Sequence, residues 1–194
     1  KGEYICFFDS DDYIALDTIE KAYQLAKKEK ADVVTFGFCN VKKDGRTGAT
    51  VIPQTQKNIF CGWEVQNIFL PDLIGPDVAN GCRTNLWMSA CMAIFSMNLI
   101  KRANWKFVSE REIISEDIYS LLKLYRFVNR VAVLSEALYF YCENESSLTH
   151  IYRTDRYKKI KHFYDECQVA CKDSGYSEKV TERLSYPYLS NTIG

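Results

Sequence analysis

Two apolar runs separated by a helical pattern occupy residues 4–38 and restrict the fold more than any other feature of the sequence. Residues 4–8 and 32–38 are rich in aromatic and β-branched side chains, a composition typical of strands buried on both faces. Between them, Glu20 follows Asp17 at the spacing of a capping box, which predicts the start of a helix. The order strand, helix, strand predicts a βαβ unit and therefore an α/β protein.

Composition narrows the class of protein. The 194 residues carry 25 basic and 25 acidic side chains, which cancel to no net charge, and 47% of the residues are hydrophobic. This is the profile of a globular domain. Because proteins that bind nucleic acid need clustered positive charge, the balance argues against a nucleic-acid partner. The longest apolar run, over 90–95, is far shorter than the roughly 20 residues that span a bilayer.

The eight cysteines show no metal-binding spacing, since no pair is separated by only two residues. Cys6, Cys39, Cys91 and Cys142 lie inside apolar stretches, where a free cysteine behaves as a small buried hydrophobe. We therefore expect a reduced, cytoplasmic protein, with a disulfide-stapled secreted protein as the alternative.

The rest of the chain mixes clear and ambiguous patterns. Apolar residues at helical spacing follow Ser115, which predicts a helix capped by that side chain. The other predicted elements are a helix over 62–70, a loop over 71–84, a buried segment of undecided type over 87–95, strands over 131–134 and 137–141, and helices from about 154.

Three aspartates stand directly after the first predicted strand. Asp9, Asp11 and Asp12 are so close in sequence that their carboxylates repel one another and favour a divalent cation with oxygen ligands. Open α/β sheets bind ligands at the carboxyl ends of their strands, where this cluster stands. The alternative is a solvated acidic turn before the helix. An EF-hand is excluded, because Ile14 stands where its loop needs glycine.

A phosphotransfer site of the haloacid-dehalogenase type is a second interpretation of the same cluster. That family also places Asp-x-Asp after an apolar strand, and its first aspartate, here Asp9, is the nucleophile. Its pattern has threonine or valine two residues after the second aspartate, where this sequence has Tyr13. Its later Gly-Asp motif is also missing, so this phosphohydrolase is the less favoured alternative.

Residues 1–13 and a later set of motifs share one resemblance. The first segment reads Lys-Gly-Glu-Tyr-Ile-Cys-Phe-Phe-Asp-Ser-Asp-Asp-Tyr. The later set is Ser-Glu-Asp over 115–117, a helix, Leu-Tyr-Phe-Tyr over 138–141 and Ser-Ser-Leu-Thr over 146–149. In this order the two sets resemble the central segment and the C-terminal half of family 2 glycosyltransferases, which are inverting, metal-dependent enzymes of the GT-A fold.

The resemblance implies a metal and donor site in the acidic cluster. Asp9 and Asp11 correspond to the family's Asp-x-Asp pair. The later aspartate coordinates Mn²⁺ or Mg²⁺ on the donor diphosphate, and the earlier one helps to hold the metal and the donor. Asp12 extends this donor-binding cluster. The cation would neutralise the two phosphates and stabilise the leaving nucleotide.

The resemblance also implies a general base in the second set of motifs. Asp117 corresponds to the base that takes the proton from the acceptor hydroxyl. Glu116 corresponds to a residue that orients the base or the acceptor. The alternative for both is a pair of acids that suits the dipole at the start of a helix.

Two further candidate site residues are each suggested by one sequence position and not by a longer motif. Trp87 stands where the family often has an aromatic residue near the acceptor, and a flat ring suits stacking on a sugar face. Met88 and Ser89 replace the usual Asn-Lys after it, and core packing of the ring is the alternative. His150 follows Ser-Leu-Thr and is a candidate contact for a donor phosphate; an ordinary loop histidine is the alternative.

For the whole chain we expect a truncated GT-A-like α/β fold. A mixed sheet flanked by helices would span 1–152, as part of a catalytic domain, and a helical C-terminal extension would span 153–194. The family's first β-α-β elements, which build most of its nucleotide pocket, have no counterpart in this sequence. We therefore expect the chain alone to bind donor weakly or not at all and to be inactive by itself. A non-catalytic domain that binds the acceptor is the alternative from another class.

The resemblance implies the partners as well. It implies transfer of a hexose from a nucleotide-diphosphate sugar, with a UDP-sugar as the first expectation, to a glycan or lipid-linked acceptor in bacterial cell-surface polysaccharide synthesis. The basic run of Arg153, Arg156 and 158–161 predicts a peripheral contact with the inner face of the plasma membrane. A solvated helix face is the alternative.

Overall fold

A mixed seven-stranded sheet lies at the centre of the computed structural model, which describes residues 2–77, 80–81, 85–144 and 155–193. Helices pack on both faces of this sheet, so the predicted α/β class is confirmed. The strands are β1 (Tyr4–Cys6), β2 (Tyr13–Ile14), β3 (Val33–Val41), β4 (Thr47–Val51), β5 (Ile59–Cys61), β6 (Ala93–Ser96) and β7 (Arg130–Cys142). The helices are α1 (Thr18–Glu29), α2 (Leu70–Ile74), α3 (Met97–Arg102), α4 (Glu116–Tyr125), α5 (Arg156–Ser174), α6 (Glu178–Arg183) and α7 (Ser185–Ile193).

The strand order is β1-β6-β3-β7-β2, with β4 paired to β3 and β5 paired to β7. Only the central pair, β3 and β7, is parallel among the described strands. Because β6 runs antiparallel to both β1 and β3, those two strands point the same way. The predicted βαβ unit therefore exists with a later strand inserted between its two strands.

The central strands are long and buried. β3 is buried along nearly its whole length, as its apolar run predicts. The two short strands predicted over 131–134 and 137–141 are instead one strand, β7. The pairing register between β3 and β7 shifts at Gly37, opposite the polar residues between the two predicted halves of β7. A bulge of this kind lets one strand continue where the alternating pattern breaks.

Helix α1 begins differently from the predicted capping box. Asp17 stands at the N-cap position but makes no side-chain cap hydrogen bond. Its carboxylate instead pairs with Lys21 one turn later, at 2.8 Å. The face that packs on the sheet contains Thr18, Ala22 and Ala26, so small side chains let the helix lie close to the strands.

The middle of the chain corrects the predicted start of one loop and decides the type of one buried segment. A π-helical turn over Val65–Phe69 continues directly into α2, so residues 71–74 are helical and the loop begins only at Gly75. The segment of undecided type is a 3₁₀ turn over Ala90–Met92 followed by β6. Its apolar character comes from burial in the sheet, which periodicity cannot separate from burial in a helix.

The C-terminal helices share the main core. Phe163 and Cys167 of α5, with Val180 and Leu184 around α6, are fully buried in the same hydrophobic cluster as the central strands. The boundary expected at 152/153 lies outside the described residues and stays a prediction. In the described part of the chain no helix is both long and apolar enough to cross a membrane.

The cysteines of the described ranges are free. Seven of them form no disulfide, and Cys82 lies outside the described residues. Cys39, Cys167 and Cys171 are buried, whereas Cys6, Cys61, Cys91 and Cys142 are partly buried.

Candidate functional site

The acidic cluster forms a turn that follows β1. The strand ends at Cys6, and the chain then bends so that the Asp12 N–H donates to the Asp9 carbonyl at 3.2 Å. Asp9 and Asp11 are exposed, whereas Asp12 is partly buried. The turn therefore presents the first two carboxylates toward solvent and directs the third toward the protein.

Asp12 is held by β7. The Tyr139 hydroxyl donates to Asp12 Oδ2, and the Cys142 N–H donates to Asp12 Oδ1 at 2.7 Å. Tyr139 is buried to 1% exposure, and its hydroxyl also accepts from the Asp9 N–H at 3.4 Å. These bonds tie both ends of the acidic turn to one buried phenol. Asp12 thereby positions the turn, and its predicted contact with the donor stays a prediction.

Asp11 makes a different kind of contact. Its Oδ2 accepts a hydrogen bond from Asn144 Nδ2 at 2.9 Å, beyond the end of β7. The amide of Asn144 is neutral, so this hydrogen bond does not itself compensate the negative charge of Asp11, and a carboxylate of this kind suits a divalent cation.

Asp9 lies against Cys91, which belongs to the 3₁₀ turn before β6. The Cys91 thiol donates to Asp9 Oδ2 at 3.7 Å. Although the residue as a whole is exposed, nearby protein atoms keep some water away from its carboxyl group, and this desolvation raises the pKa of Asp9. The negative charges of Asp12 and Asp11 raise this pKa further, while the thiol acts in the opposite direction. Burial, followed by the charge of Asp9, raises the pKa of the Cys91 thiol to about 11. This thiol is therefore a neutral hydrogen-bond donor near neutral pH.

Glu116 and Asp117 form the first turn of α4. Burial raises the pKa of Asp117, and the charge of Asp9 adds to this. Hydrogen bonds from the Ile118 N–H, at 2.8 Å, from the Ser89 hydroxyl and from the Ala90 N–H act in the opposite direction. Burial, and then the charge of Asp117, raises the pKa of Glu116. A carboxylate with a raised pKa is a stronger base than an exposed one.

The fold brings the two sequence motifs together. The charge of Asp9 acts on both Glu116 and Asp117, and Cys91 is influenced by Asp9 and Asp117 alike. The 3₁₀ turn therefore lies between the acidic turn and the start of α4. A donor role for the acidic turn and a base role for the start of α4 stay predictions.

Trp87 lies beside the same turn. Its ring is 51% exposed and packs edge-on against Phe38, with centroids 5.5 Å apart. Phe38 is the register partner of Tyr139, and Trp87 precedes by two residues the Ser89 that contacts Asp117. An exposed ring next to the base side suits the predicted acceptor contact, which stays a prediction. His150 and residues 146–149 lie outside the described residues.

Three site residues were not assigned from the sequence. Tyr139 lies in the Leu-Tyr-Phe-Tyr segment that carries part of the resemblance, so a signal for it exists. Ser89 and Cys91 belong to the segment whose secondary structure the pattern leaves open. Their roles depend on the 3₁₀ turn, which faces two elements that are far away in the sequence.

The donor atoms suit a hard cation, but the protein supplies few of them at one point. Asp9 and Asp11 offer carboxylate oxygens, the ligands that Mg²⁺ and Mn²⁺ prefer. Within the described ranges, no three or more His, Cys, Asp or Glu side chains converge closely enough to hold a metal ion. A cation at this turn would therefore need further ligands from a bound phosphate, as Mg²⁺ sites with substrate phosphates commonly do.

Comparison with known proteins finds one family that matches the N-terminal part of the chain. Residues 1–89 match the family described as Glycosyl transferase family 2. EpsJ of Bacillus subtilis (strain 168), described as an uncharacterized glycosyltransferase, is 29% identical over 151 residues, which is 78% of this chain and 41% of EpsJ.

The fold is shared with TarS of S. aureus. Crystal structures of TarS 1-349 superpose with a TM-score of 0.65 for the complex with UDP-GlcNAc and 0.60 for the complex with UDP, both at 21% identity. The first covers 98% of this chain and 49% of TarS 1-349, and the second covers 97% and 46%. The chain thus spans less than half the length of each of these relatives. The likeness confirms the predicted GT-A-like fold, and residues 1–89 are similar to glycosyl transferase family 2.

Proposed function

We propose that the protein transfers a sugar from a nucleotide-diphosphate sugar to an acceptor hydroxyl, with inversion and with help from a divalent cation. The observation that carries this proposal is the meeting of the acidic turn and the Glu116–Asp117 pair around Cys91. The acidic turn would bind the donor, and the Glu116–Asp117 pair would activate the acceptor. Sugar transfer needs both within reach of one anomeric carbon.

Asp117 is the general base in this proposal. It removes the proton from the acceptor hydroxyl, the oxygen attacks the anomeric carbon, and the bond from that carbon to the diphosphate oxygen breaks on the opposite face. The hydrogen bonds from Ile118, Ser89 and Ala90 fix the direction of the carboxylate. Glu116, half-exposed beside it, is placed to orient the acceptor.

The acidic turn is the donor side. A cation bound by Asp11 and Asp9 would neutralise the charge that develops on the leaving diphosphate. The hydrogen bonds of Tyr139 to Asp12 and to the Asp9 N–H hold the turn in place. The two exposed carboxylates therefore need little rearrangement when the donor binds. A preorganised site of this kind lowers the cost of reaching the transition state.

A UDP-sugar is the proposed donor. TarS, whose fold the chain shares, has crystal structures with UDP-GlcNAc and with UDP, which supports a uridine nucleotide. The relatives come from two bacteria, which supports the proposed place in bacterial cell-surface polysaccharide synthesis. The acceptor would be a glycan or lipid-linked sugar that stacks on Trp87.

Ion pairs in α5 weaken the case for the predicted contact between its basic residues and the membrane. Lys159 pairs with Asp155 at 3.3 Å, and Lys161 pairs with Asp165 at 2.6 Å. These pairs reduce the positive charge that an anionic membrane surface would attract.

The test is sugar transfer by the complete protein and its Asp11→Asn variant. Transfer from radiolabelled UDP-sugars in the presence of Mn²⁺ is expected to fall by about 100-fold or more, because a charged ligand at the developing negative charge is lost. Asp44→Asn, in the exposed turn between β3 and β4, is the matched control and is expected to leave transfer unchanged.

Three results would contradict the proposal. Undiminished transfer by Asp11→Asn would remove the metal role. Binding of a sugar acceptor with no turnover in any variant would instead support the non-catalytic acceptor-binding domain. Hydrolysis of a phosphomonoester that requires Asp9 would support the phosphohydrolase.

A further inference from the structure

We propose that the C-terminal helices α6 and α7 form part of the catalytic architecture, with Asn191 as a positioning residue for Asp117. The inference rests on the proposed function, because it assigns a role relative to the proposed base. Its starting point is an unusual residue at the start of α4, the helix that presents Asp117.

Ser115 has a left-handed backbone conformation, with φ 53° and ψ 45°. Residues other than glycine rarely adopt this conformation, and it persists where the surroundings impose it. Serine at an N-cap usually accepts a hydrogen bond from its own helix, but this side chain makes no such bond. Its Oγ instead accepts from Asn191 Nδ2 of α7, at 3.2 Å.

The hydrogen bond between Ser115 and Asn191 lies two residues before Asp117 in the sequence. The Ser115 carbonyl accepts the first hydrogen bond of α4, from the Ile118 N–H at 3.1 Å. The same Ile118 N–H lies 2.8 Å from Asp117 Oδ1. A shift of Ser115 would therefore move the amide that orients the carboxylate. Displacement of a reacting group by about 1 Å can cost 100-fold in rate.

Helix α7 is itself anchored, so it can serve as a fixed support. Tyr186, in its first turn, packs against Gly75, where an added Cβ would lie only 2.7 Å from the Tyr186 side chain. In α6, Arg183 donates to the Gly75 carbonyl at 3.3 Å and pairs with Asp77 at 2.7 Å. Val180 and Leu184 are fully buried in the main core.

The same two helices thus contact two segments that are far apart in the sequence. Asn191 reaches the start of α4, and Arg183 with Tyr186 holds residues 75–77, which begin the connection toward Trp87. Asn191 touches no reacting atom, so its effect would pass through Ser115.

A double-mutant cycle tests this inference in the complete protein. Asn191→Ala and Ser115→Ala are each expected to lower kcat for sugar transfer by about 10-fold and to leave the KM for the donor unchanged. The double variant is expected to match either single variant, because both remove one interaction. Thr192→Ala is the matched control, since the Thr192 hydroxyl bonds only to a carbonyl of its own helix in the described contacts.

Amide hydrogen exchange gives a readout that does not need turnover. The amides of Ile118 and Tyr119 are expected to exchange faster in Asn191→Ala than in Thr192→Ala, while exchange in the central strand β3 stays the same. A loss of kcat that is additive in the double variant, or a raised donor KM with normal kcat, would overturn the positioning role. If the wild-type protein transfers no sugar, the proposed function fails, and unchanged exchange at Ile118 would then overturn the inference by itself.

Discussion

At the scale of one residue, the raised pKa that makes Asp117 a stronger base also lowers the stability of the folded protein near neutral pH. Burial and the nearby charge of Asp9 raise its pKa, so the ionised form that a base needs is disfavoured in the folded protein. The folded state binds this proton more tightly than the unfolded chain does. The free energy of unfolding therefore falls as the pH rises from the ordinary aspartate range through the raised pKa.

Replacement of Asp117 by asparagine is expected to abolish sugar transfer and to stabilise the protein at pH 7. The amide keeps an oxygen to accept the Ile118 N–H but carries no charge that burial penalises. Urea unfolding monitored by circular dichroism, together with a transfer assay, checks both effects. Lower stability of Asp117→Asn at pH 7 would show that burial does not penalise the charge.

The same pKa predicts the pH profile of the wild-type protein. The charge of Asp9 acts on Asp117, and the charges of Glu110 and Asp9 act on its neighbour Glu116. Because the base must be ionised, kcat/KM is expected to rise with pH through an inflection above 3.8, the ordinary aspartate value. Activity that stays flat down to that value, in protein still folded by circular dichroism, would argue against Asp117 as the base.

At the scale of elements, the pairing of β3 with its neighbours decides where the site residues lie. β3 pairs with β7 along one edge and with β6 and β4 along the other. Tyr139 on β7 and the 3₁₀ turn before β6 therefore reach the acidic turn from two sides. Gly37 lies where β3 passes under the end of β4, and an added Cβ there would lie 2.1 Å from the Val51 carbonyl oxygen.

Gly37→Ala is expected to lower the free energy of unfolding by about 2 kcal/mol or more, because the added methyl group overpacks a backbone contact. Gly48→Ala in β4 is the matched control, since its added Cβ would meet Asn40 at an ordinary 3.4 Å. Chemical denaturation of both variants measures the difference. Equal stability of the two would show that the β3–β4 hairpin adjusts to the methyl group.

At the scale of the whole molecule, the C-terminal helices pack against the middle of the chain, around residues 72–77. Arg183 is buried to 8% exposure between Asp77, at 2.7 Å, and Asp72, at 4.0 Å. Burial raises the pKa of Asp72 although the charges of Lys179 and Arg183 act in the opposite direction. A buried cation therefore links α6 to the segment after α2.

Arg183→Met is expected to lower the free energy of unfolding by about 3 kcal/mol, because it removes a buried cation that compensates two partly buried carboxylates. Arg46→Met is the control, since the ion pair of Arg46 with Asp44 lies in an exposed turn and such pairs contribute little. Thermal unfolding at neutral pH compares the two variants. A similar loss of stability in both variants would show that the buried ion pairs of Arg183 stabilise the protein no more than an exposed pair does.

Local patterns determined much of what the sequence analysis predicted. The acidic turn after an apolar strand, the helix after Ser115 and the buried β3 are all present, because burial and turn chemistry act between near neighbours. The caps at Asp17 and Ser115 are absent from the structure. In both cases a partner elsewhere, Lys21 in the next turn or Asn191 in α7, binds the side chain instead.

The sequence alone determined the α/β class, the family resemblance and the candidate acids Asp9, Asp11 and Asp117, since each depends on short motifs. Only the tertiary structure decided that β6 separates β1 from β3, that Tyr139 and Cys91 contact the acidic turn, and that α7 supports Ser115. These features depend on contacts between distant segments. Periodicity describes which face of an element is buried, but it carries no information about which other element covers that face.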